Sequence, residues 1–276
     1  MVNSQLPKPK SQRAARFLLL GVGIWALGVS GCAARRVSLP GDPGAPFPDF
    51  EQVHKQVAAP CGAVSTLTAE LGLSGRAGGQ RLRGRVVAGF ARPASMRLEG
   101  VAPFGAPAFI LAARDEAAVL VLPRDNRVLQ GARADEILGA LTGVALAPAD
   151  LQAILTGCVV PAPRATGGRR HANGWTSIDL EGGATLFLAP QGAGWQLRAA
   201  RRAGWQLEYP AWQGMFPQTV RLRSDAPATD VDLTAAVSQL ETNIDVDPAA
   251  FTVTVPPGAE PMTIEELRRS GPLSGQ

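Results

Sequence analysis

Side chains able to do chemistry are scarce in this chain of 276 residues. There are two histidines, His54 and His171. His54 stands beside Lys55 in a helical stretch, and His171 follows Arg169-Arg170 in a basic, proline-bounded segment. Neither belongs to a His-x-Glu or Cys-x-x-Cys array, so no metal site is expected and both read as solvated surface. Gly72-Leu73-Ser74-Gly75-Arg76 approaches a serine-nucleophile elbow but lacks its closing glycine. No glycine-rich loop precedes a Lys-Ser/Thr pair. The doublets Asp230-Val231-Asp232 and Asp245-Val246-Asp247 have a spacing open to calcium or acid–base chemistry. Strand alternation explains them more simply, with both carboxylates on the wet face. Arg164, Arg169, Arg170 and His171 form a basic cluster that suits either a solvated loop or anionic head groups. The expectation is a protein that is not an enzyme and needs no cofactor.

The third chemically distinctive residue is cysteine. Cys32 ends Val29-Ser30-Gly31-Cys32, which resembles the lipobox of bacterial lipoproteins, where this cysteine is acylated and becomes the first mature residue. Its setting agrees. Lys8, Lys10, Arg13 and Arg16 precede an apolar run, 17–29, and no acid lies among them. That run is shorter than the ~20 residues needed to span a bilayer, as in a cleaved leader. Ala33 after the cysteine fits outer-membrane sorting, where Asp would resemble an inner-membrane retention signal. Four of the 27 basic residues and none of the 23 acids lie in the leader, so the remainder carries 23 of each. With no net field, nucleic acid is not an expected partner. Cys61 and Cys158 are an even pair in an oxidising compartment, which favours a disulfide over two buried thiols.

The elements that must position these residues follow from periodicity. Residues 1–31 read as the signal peptide and 32–48 as a proline-rich tether. Residues 49–259 read as the domain and 260–276 as a helical, frayed tail. A tether this rich in proline extends at about 3.1 Å per residue and would act as a spacer. Asp49 can cap a helix from Phe50, with apolar positions three and four apart as far as Leu71 and a disturbance at Pro60. Thereafter the period is two. Segments near 82–90, 95–101, 108–113, 118–122 and 127–130 read as strands. Short helices follow at 134–141 and 148–155. Residues 161–171 have the look of a mobile loop. Strands resume at 175–180, 184–189, 195–200, 205–209, 219–223, 231–240 and 251–255, several separated by glycine pairs. The fold class expected is mainly β. It is a single curved antiparallel sheet of about eleven strands, an open half-barrel with a helical lid.

Met96-Arg97-Leu98-Glu99-Gly100-Val101-Ala102-Pro103-Phe104-Gly105 and the run from Leu141-Thr142-Gly143 through Pro148 to Leu155 resemble the outer-membrane lipoprotein receptor family LolB. Trp195, Trp205, Leu207 and Tyr209 fit that family's later meander, so the resemblance covers roughly residues 67–225. Asn243 onward, with Phe251-Thr252-Val253-Thr254-Val255-Pro256, looks more like LolA. The linker and the two cysteines depart from LolB, which suggests a wider LolA/LolB-like family whose cargo differs. The resemblance implies an apolar cavity for acyl chains of lipoproteins or lipids, membrane attachment through Cys32, and a periplasmic lipoprotein carrier as a partner. It implies an outer-membrane location facing the periplasm. Expected cavity residues are Met96, Leu98, Phe109, Leu111, Val119, Leu186, Leu188 and Leu197, with Ile137, Leu138, Leu141 and Ile154 as lid. Phe104 takes the place of an apolar residue that assists membrane insertion, unless it folds back into the core. An acyl chain of about fourteen carbons gains roughly 10 kcal/mol on burial, before ordering costs. The alternative is a structural or assembly lipoprotein with a filled barrel, acting through its surface.

Overall fold

The computed structural model describes residues 37–270 apart from 78, 116, 162 and 226–229. Cys32 and its leader lie outside the described residues. A two-residue strand β1 (Ala45–Pro46) and helix α1 (Phe50–Gly62) open the domain. The first meander comprises β2 (Thr66–Ala77), β3 (Gln80–Ala91), β4 (Ser95–Val101), β5 (Ile110–Arg114), β6 (Ala117–Leu122) and β7 (Arg127–Ala132). Helices α2 (Ala134–Thr142) and α3 (Pro148–Thr156) cross to the second meander. That meander begins with β8 (Ala165–Arg170), β9 (Thr176–Leu180), β10 (Thr185–Gln191) and β11 (Gly194–Arg202). It continues through β12 (Trp205–Gln213), β13 (Phe216–Ser224) and β14 (Val231–Thr242). A 3-10 turn (Pro248–Phe251), β15 (Glu260–Pro261) and α4 (Ile264–Ser270) complete the described chain.

One pairing converts two meanders into a single sheet. β14 runs antiparallel to β2 from Val231↔Ala77 to Thr242↔Leu67. The resulting order is β1-β8-β9-β10-β11-β12-β13-β14-β2-β3-β4-β5-β6-β7-β15. The end strands β1 and β15 do not pair with each other, so the sheet stays open. Hairpin turns are set by residues that accept positive φ. Ala203 and Gly204 both do (φ 46° and 82°), as a two-residue turn between right-twisted strands requires.

Alternation sorts the side chains. Leu67, Ala69 and Leu71 of β2, Val86, Ala88 and Phe90 of β3, and Met96 and Leu98 of β4 are buried on the inner face. They form a first core with α2 and α4. A second core holds Ile178, Leu188, Leu197, Tyr209 and Val220 against Val53 of α1 and Ile154 of α3.

Several expectations change. The described residues form fifteen strands, not about eleven; the two-residue edge pieces β1 and β15 have no periodic signal of their own, and β8 is Ala-Thr-Gly-Gly-Arg-Arg, without an apolar alternation. Residues 165–170, expected as part of a mobile loop, are β8, paired with β9 and β1. Helix α1 stops at Gly62, and Leu67 and Leu71 belong to a strand whose alternate threonines favour β geometry. The Asp49 side chain makes no cap bond. Residues 252–255 form no strand. Arg97 Nη1 donates to the carbonyls of Ala250 (3.0 Å) and Thr252 (2.9 Å), taking the place of ladder bonds. The proline-rich segment is not a free spacer from Val37 on. Ala45 and Pro46 pair with Arg170 and Arg169. Phe47 donates its N–H to Gly168 O (3.0 Å) and is buried beside Trp195.

Candidate functional site

A hollow lies at the seam where the two meanders join. Its volume is ≈ 140 Å³, and all but three of its twenty-one lining residues are apolar. The sheet contributes Leu71, Leu73, Leu82, Val86, Leu98, Leu207, Val220, Leu222, Leu233 and Ala235. Phe109 enters from the start of β5, its ring packed where any side chain at Gly100 would stand, 2.6 Å from the position of a Cβ. The roof is α2 (Leu138, Leu141), the connector (Val144, Leu146) and α3 (Leu151, Ile154, Leu155). Thr142, Arg83 and Thr234 are the polar members.

The hollow exists because inward rows of the sheet lack side chains there. Register aligns Leu207, Leu222, Leu233, Gly75 and Leu82 across five strands. The next row is Val220, Ala235, Leu73 and Gly84. Glycine at 75 and 84 and alanine at 235 leave the floor low. Gly75 has no substitute, since a Cβ would stand 2.0 Å from Asp232 O at φ +143°. Arg83 and Thr234 border the hollow although alternation turns them to the face opposite Leu82 and Leu233, as follows where glycine bares the sheet backbone.

The roof helices are held differently. Gly143 (φ 75°) ends α2, and Gly157 (φ 87°) ends α3. Beyond Gly157, Cys158 is bridged to Cys61 at the end of α1, with Cα atoms 5.7 Å apart. The other end of α3 is tied by Asp150, which accepts from Arg202 Nη2 (2.6 Å). Arg202 Nη1 also donates to Val159 O (2.9 Å). Tyr209 donates to Ile154 O (3.3 Å); burial pushes its phenol far above the ordinary value, so it remains a neutral donor. The roof thus has one covalent end and one ionic end.

Of the residues expected in the cavity, Leu98, Phe109, Leu138, Leu141 and Ile154 line the hollow. Met96, Leu111 and Ile137 belong to the solid part of the first core. Leu186, Leu188 and Leu197 belong to the second core, and Val119 is half-buried across from Gln130. Parity along β2 and β3, together with glycine at inward positions, is the sequence signal that points to this lining. Phe104 is 88 % exposed on the β4–β5 loop and does not fold back into the core. Its carbonyl accepts from Arg124 Nη2 (2.7 Å).

Both histidines, expected at the surface, are buried. His54 faces inward on α1, its Nε2 has no hydrogen-bond partner among the described residues, and burial lowers its pKa. His171 lies between Ser177 (Nε2 to Oγ, 3.0 Å) and Asp42 (Nδ1 to Oδ1, 3.4 Å). The N-terminal segment and the β8–β9 hairpin thus meet in the atom order of a serine-hydrolase triad. None of the three lines the hollow, and Ser177 is only 3 % exposed on β9. The group acts as a latch for the N-terminal segment. Asp42 also accepts from the Ala172 N–H (3.2 Å). Desolvation raises its carboxyl, but the Ala172 N–H, its own N–H and His171 outweigh that and leave it below the usual carboxylate range. Among the described residues no cluster of three or more His, Cys, Asp or Glu could hold a metal ion.

An open antiparallel sheet carrying an apolar hollow under two short helices is the class this geometry defines. No family model matches the chain, and no curated protein matches its sequence significantly. Solved structures do match. A DUF1329 family protein from Desulfovibrio piger is 11 % identical with a TM-score of 0.50, over 75 % of this chain and 97 % of that one. That likeness shows a shared fold. Also similar are a LolA superfamily protein from Nitrosomonas europaea and a putative outer membrane lipoprotein-sorting protein domain from Vibrio parahaemolyticus. The first is 9 % identical with a TM-score of 0.48, over 73 % and 98 % of the chains. The second is 10 % identical with a TM-score of 0.42, over 74 % and 94 %.

Proposed function

We propose that the domain binds acyl chains of lipids or lipoproteins in the hollow and serves as a non-catalytic acceptor or carrier. In this reading Cys32 is acylated and anchors the domain to the outer membrane, facing the periplasm, where it takes part in outer-membrane biogenesis. A periplasmic lipoprotein carrier is the partner that would deliver cargo. The observation that carries the reading is the hollow itself, apolar on floor and roof. Nothing in such a site needs a catalyst, because removing hydrocarbon from water supplies about 0.8 kcal/mol per methylene.

One observation favours a second reading. A void of about 150 Å³ lined by similar side chains accepts one benzene. The hollow at ≈ 140 Å³ therefore takes about six carbons as it stands. A domain that never opened further would be a scaffold acting through its surface. Ala235→Phe separates the two, because a phenyl ring on the floor occupies the space. Displacement of a fluorescent fatty-acyl probe should weaken at least ten-fold in that variant, with the fold retained by circular dichroism. Wild-type protein that ignores the probe, or a variant that binds it as well as wild type, would remove the carrier reading.

A further inference from the structure

We propose that the outer face of β3, with the adjoining β4–β5 loop, docks on an anionic bilayer. The proposal rests on the carrier reading only for the anchor at Cys32. Three observations converge. The first is charge. Arg81, Arg83 and Arg85 alternate along the outer side of β3, all exposed. Among the described residues none has a carboxylate within ion-pair reach. Arg81 stands directly opposite Arg76, a like-charge pair that costs stability in a sheet. The remaining charges on this face largely cancel. Arg76 meets Asp230 (3.5 Å), Arg97 meets Glu99 (2.6 Å) and Arg221 meets Asp232 (2.5 Å), while Glu70 stands opposite Val87.

The second observation is apolar exposure beside the arginines. Val101 lies opposite Arg85 and is 40 % exposed; Val87, two residues along β3, is 43 % exposed. Phe104 follows on the loop and is the most exposed large apolar residue described, at 88 %. Guanidinium groups beside protruding apolar side chains suit a lipid interface, where charge meets phosphate and the apolar groups enter the acyl boundary.

The third is where the tether joins the domain. The Val37 N–H reaches Glu208 Oε2 (3.5 Å), a carboxylate on the outer side of β12 that also meets Arg223 (3.3 Å). Register links Glu208 to Arg221, Thr234, Ser74 and Arg83 in one transverse row. The tether therefore leaves the same face, at the same level as Arg83, four strands or about 19 Å away. Four residues lie between Cys32 and Val37, and the five steps of chain span at most about 18 Å. An acyl group on Cys32 holds this face near the bilayer, with the arginines within reach of the headgroups.

The test uses the full chain carrying Cys32→Ser, so that no acyl group contributes. Binding is measured by co-sedimentation with vesicles of phosphatidylcholine, alone or mixed with phosphatidylglycerol. Wild-type surface should bind the mixed vesicles, and binding should fall as sodium chloride is raised. Arg81→Gln and Arg85→Gln together should weaken it about twenty-five-fold, roughly five-fold for each arginine. Myristate binding in the hollow, which neither residue lines, should be unchanged, which also shows the double variant to be folded. Equal binding to both vesicle types, salt-insensitive binding, or a double variant that binds like its parent would overturn the proposal. Such a result with myristate binding intact leaves the carrier reading standing; loss of myristate binding alone counts against the carrier reading and not against this surface.

Discussion

A chain of about fourteen carbons does not fit a hollow that holds about six, so the roof must move for long ligands and not for short ones. Its two ends are unequal. Cys158 is covalently held to Cys61, whereas the Pro148 end of α3 depends on the Asp150–Arg202 pair. The Asp150 end should therefore be the one that swings. At 2.6 Å, with 22 % and 19 % of the side chains exposed, the pair is a charge-assisted bond partly screened by water. Its contribution should lie near 1–1.5 kcal/mol, below that of a fully buried pair. Asp150→Asn keeps the shape and removes the charge. If long-chain binding includes breaking this bond, the variant should bind myristate about five- to ten-fold more tightly, since the competent population rises by that factor. Hexanoate, which fits the closed hollow, should bind unchanged. Titration calorimetry with both acids reads the difference. Equal shifts for the two chain lengths, or weaker myristate binding, would show that α3 does not hinge at Asp150.

Three further outcomes follow from local geometry. Gly157→Ala should lower stability by about 1–3 kcal/mol in urea unfolding, because φ is +87° and the new Cβ would lie 2.9 Å from Trp212 Cη2; an unchanged midpoint would mean the α3 end relaxes freely. Cys61→Ser should cost up to about 4–5 kcal/mol, since the bridge closes a loop with a sequence separation of 97, and reducing agent should have no further effect on that variant. His54 is held neutral by burial, its pKa lowered from 6.5. The unfolded chain therefore binds the extra proton first, and stability should fall as pH drops below about 6.5. His54→Leu should flatten that slope above the range in which Asp42 titrates, as read by urea midpoints from pH 7 to 5; an unaltered slope would assign the dependence elsewhere.

Local elements were legible where the cause was local. Gly182-Gly183 and Gly204 mark hairpins because positive φ costs glycine nothing, whereas Ala203 takes it only because the turn requires it. Alternation also assigned Leu98 to the inner face. It could not say which part of the interior a residue reaches. Leu186, Leu188 and Leu197 point inward but fill the second core, because β10 and β11 lie far along the sheet from the seam. The seam itself depends on β14 meeting β2, and no residue in either strand advertises a partner so distant in sequence. His171 looked solvated for the same reason. Ser177 stands six residues on in the same hairpin, but Asp42 comes from an N-terminal segment that only the tertiary fold brings there.

The hollow has a cost, and that cost bears on its purpose. At about 24 cal/mol per Å³, leaving ≈ 140 Å³ unfilled forgoes roughly 3 kcal/mol of packing. Against a typical stability of about 5–15 kcal/mol that is a large fraction. A larger residue at Ala235 would recover part of it, with no backbone obstacle of the kind that fixes Gly75. Register puts Gly75 and Gly84 in the inward rows of the floor beside Ala235, which lines the hollow, while the roof is all leucine, isoleucine and valine apart from Thr142. A scaffold gains nothing from that arrangement, whereas a binding site requires it. Ala235→Phe should therefore raise the melting temperature while abolishing acyl binding. A variant that is less stable than its parent would mean the floor is tightly supported and the space already spoken for by the surrounding side chains.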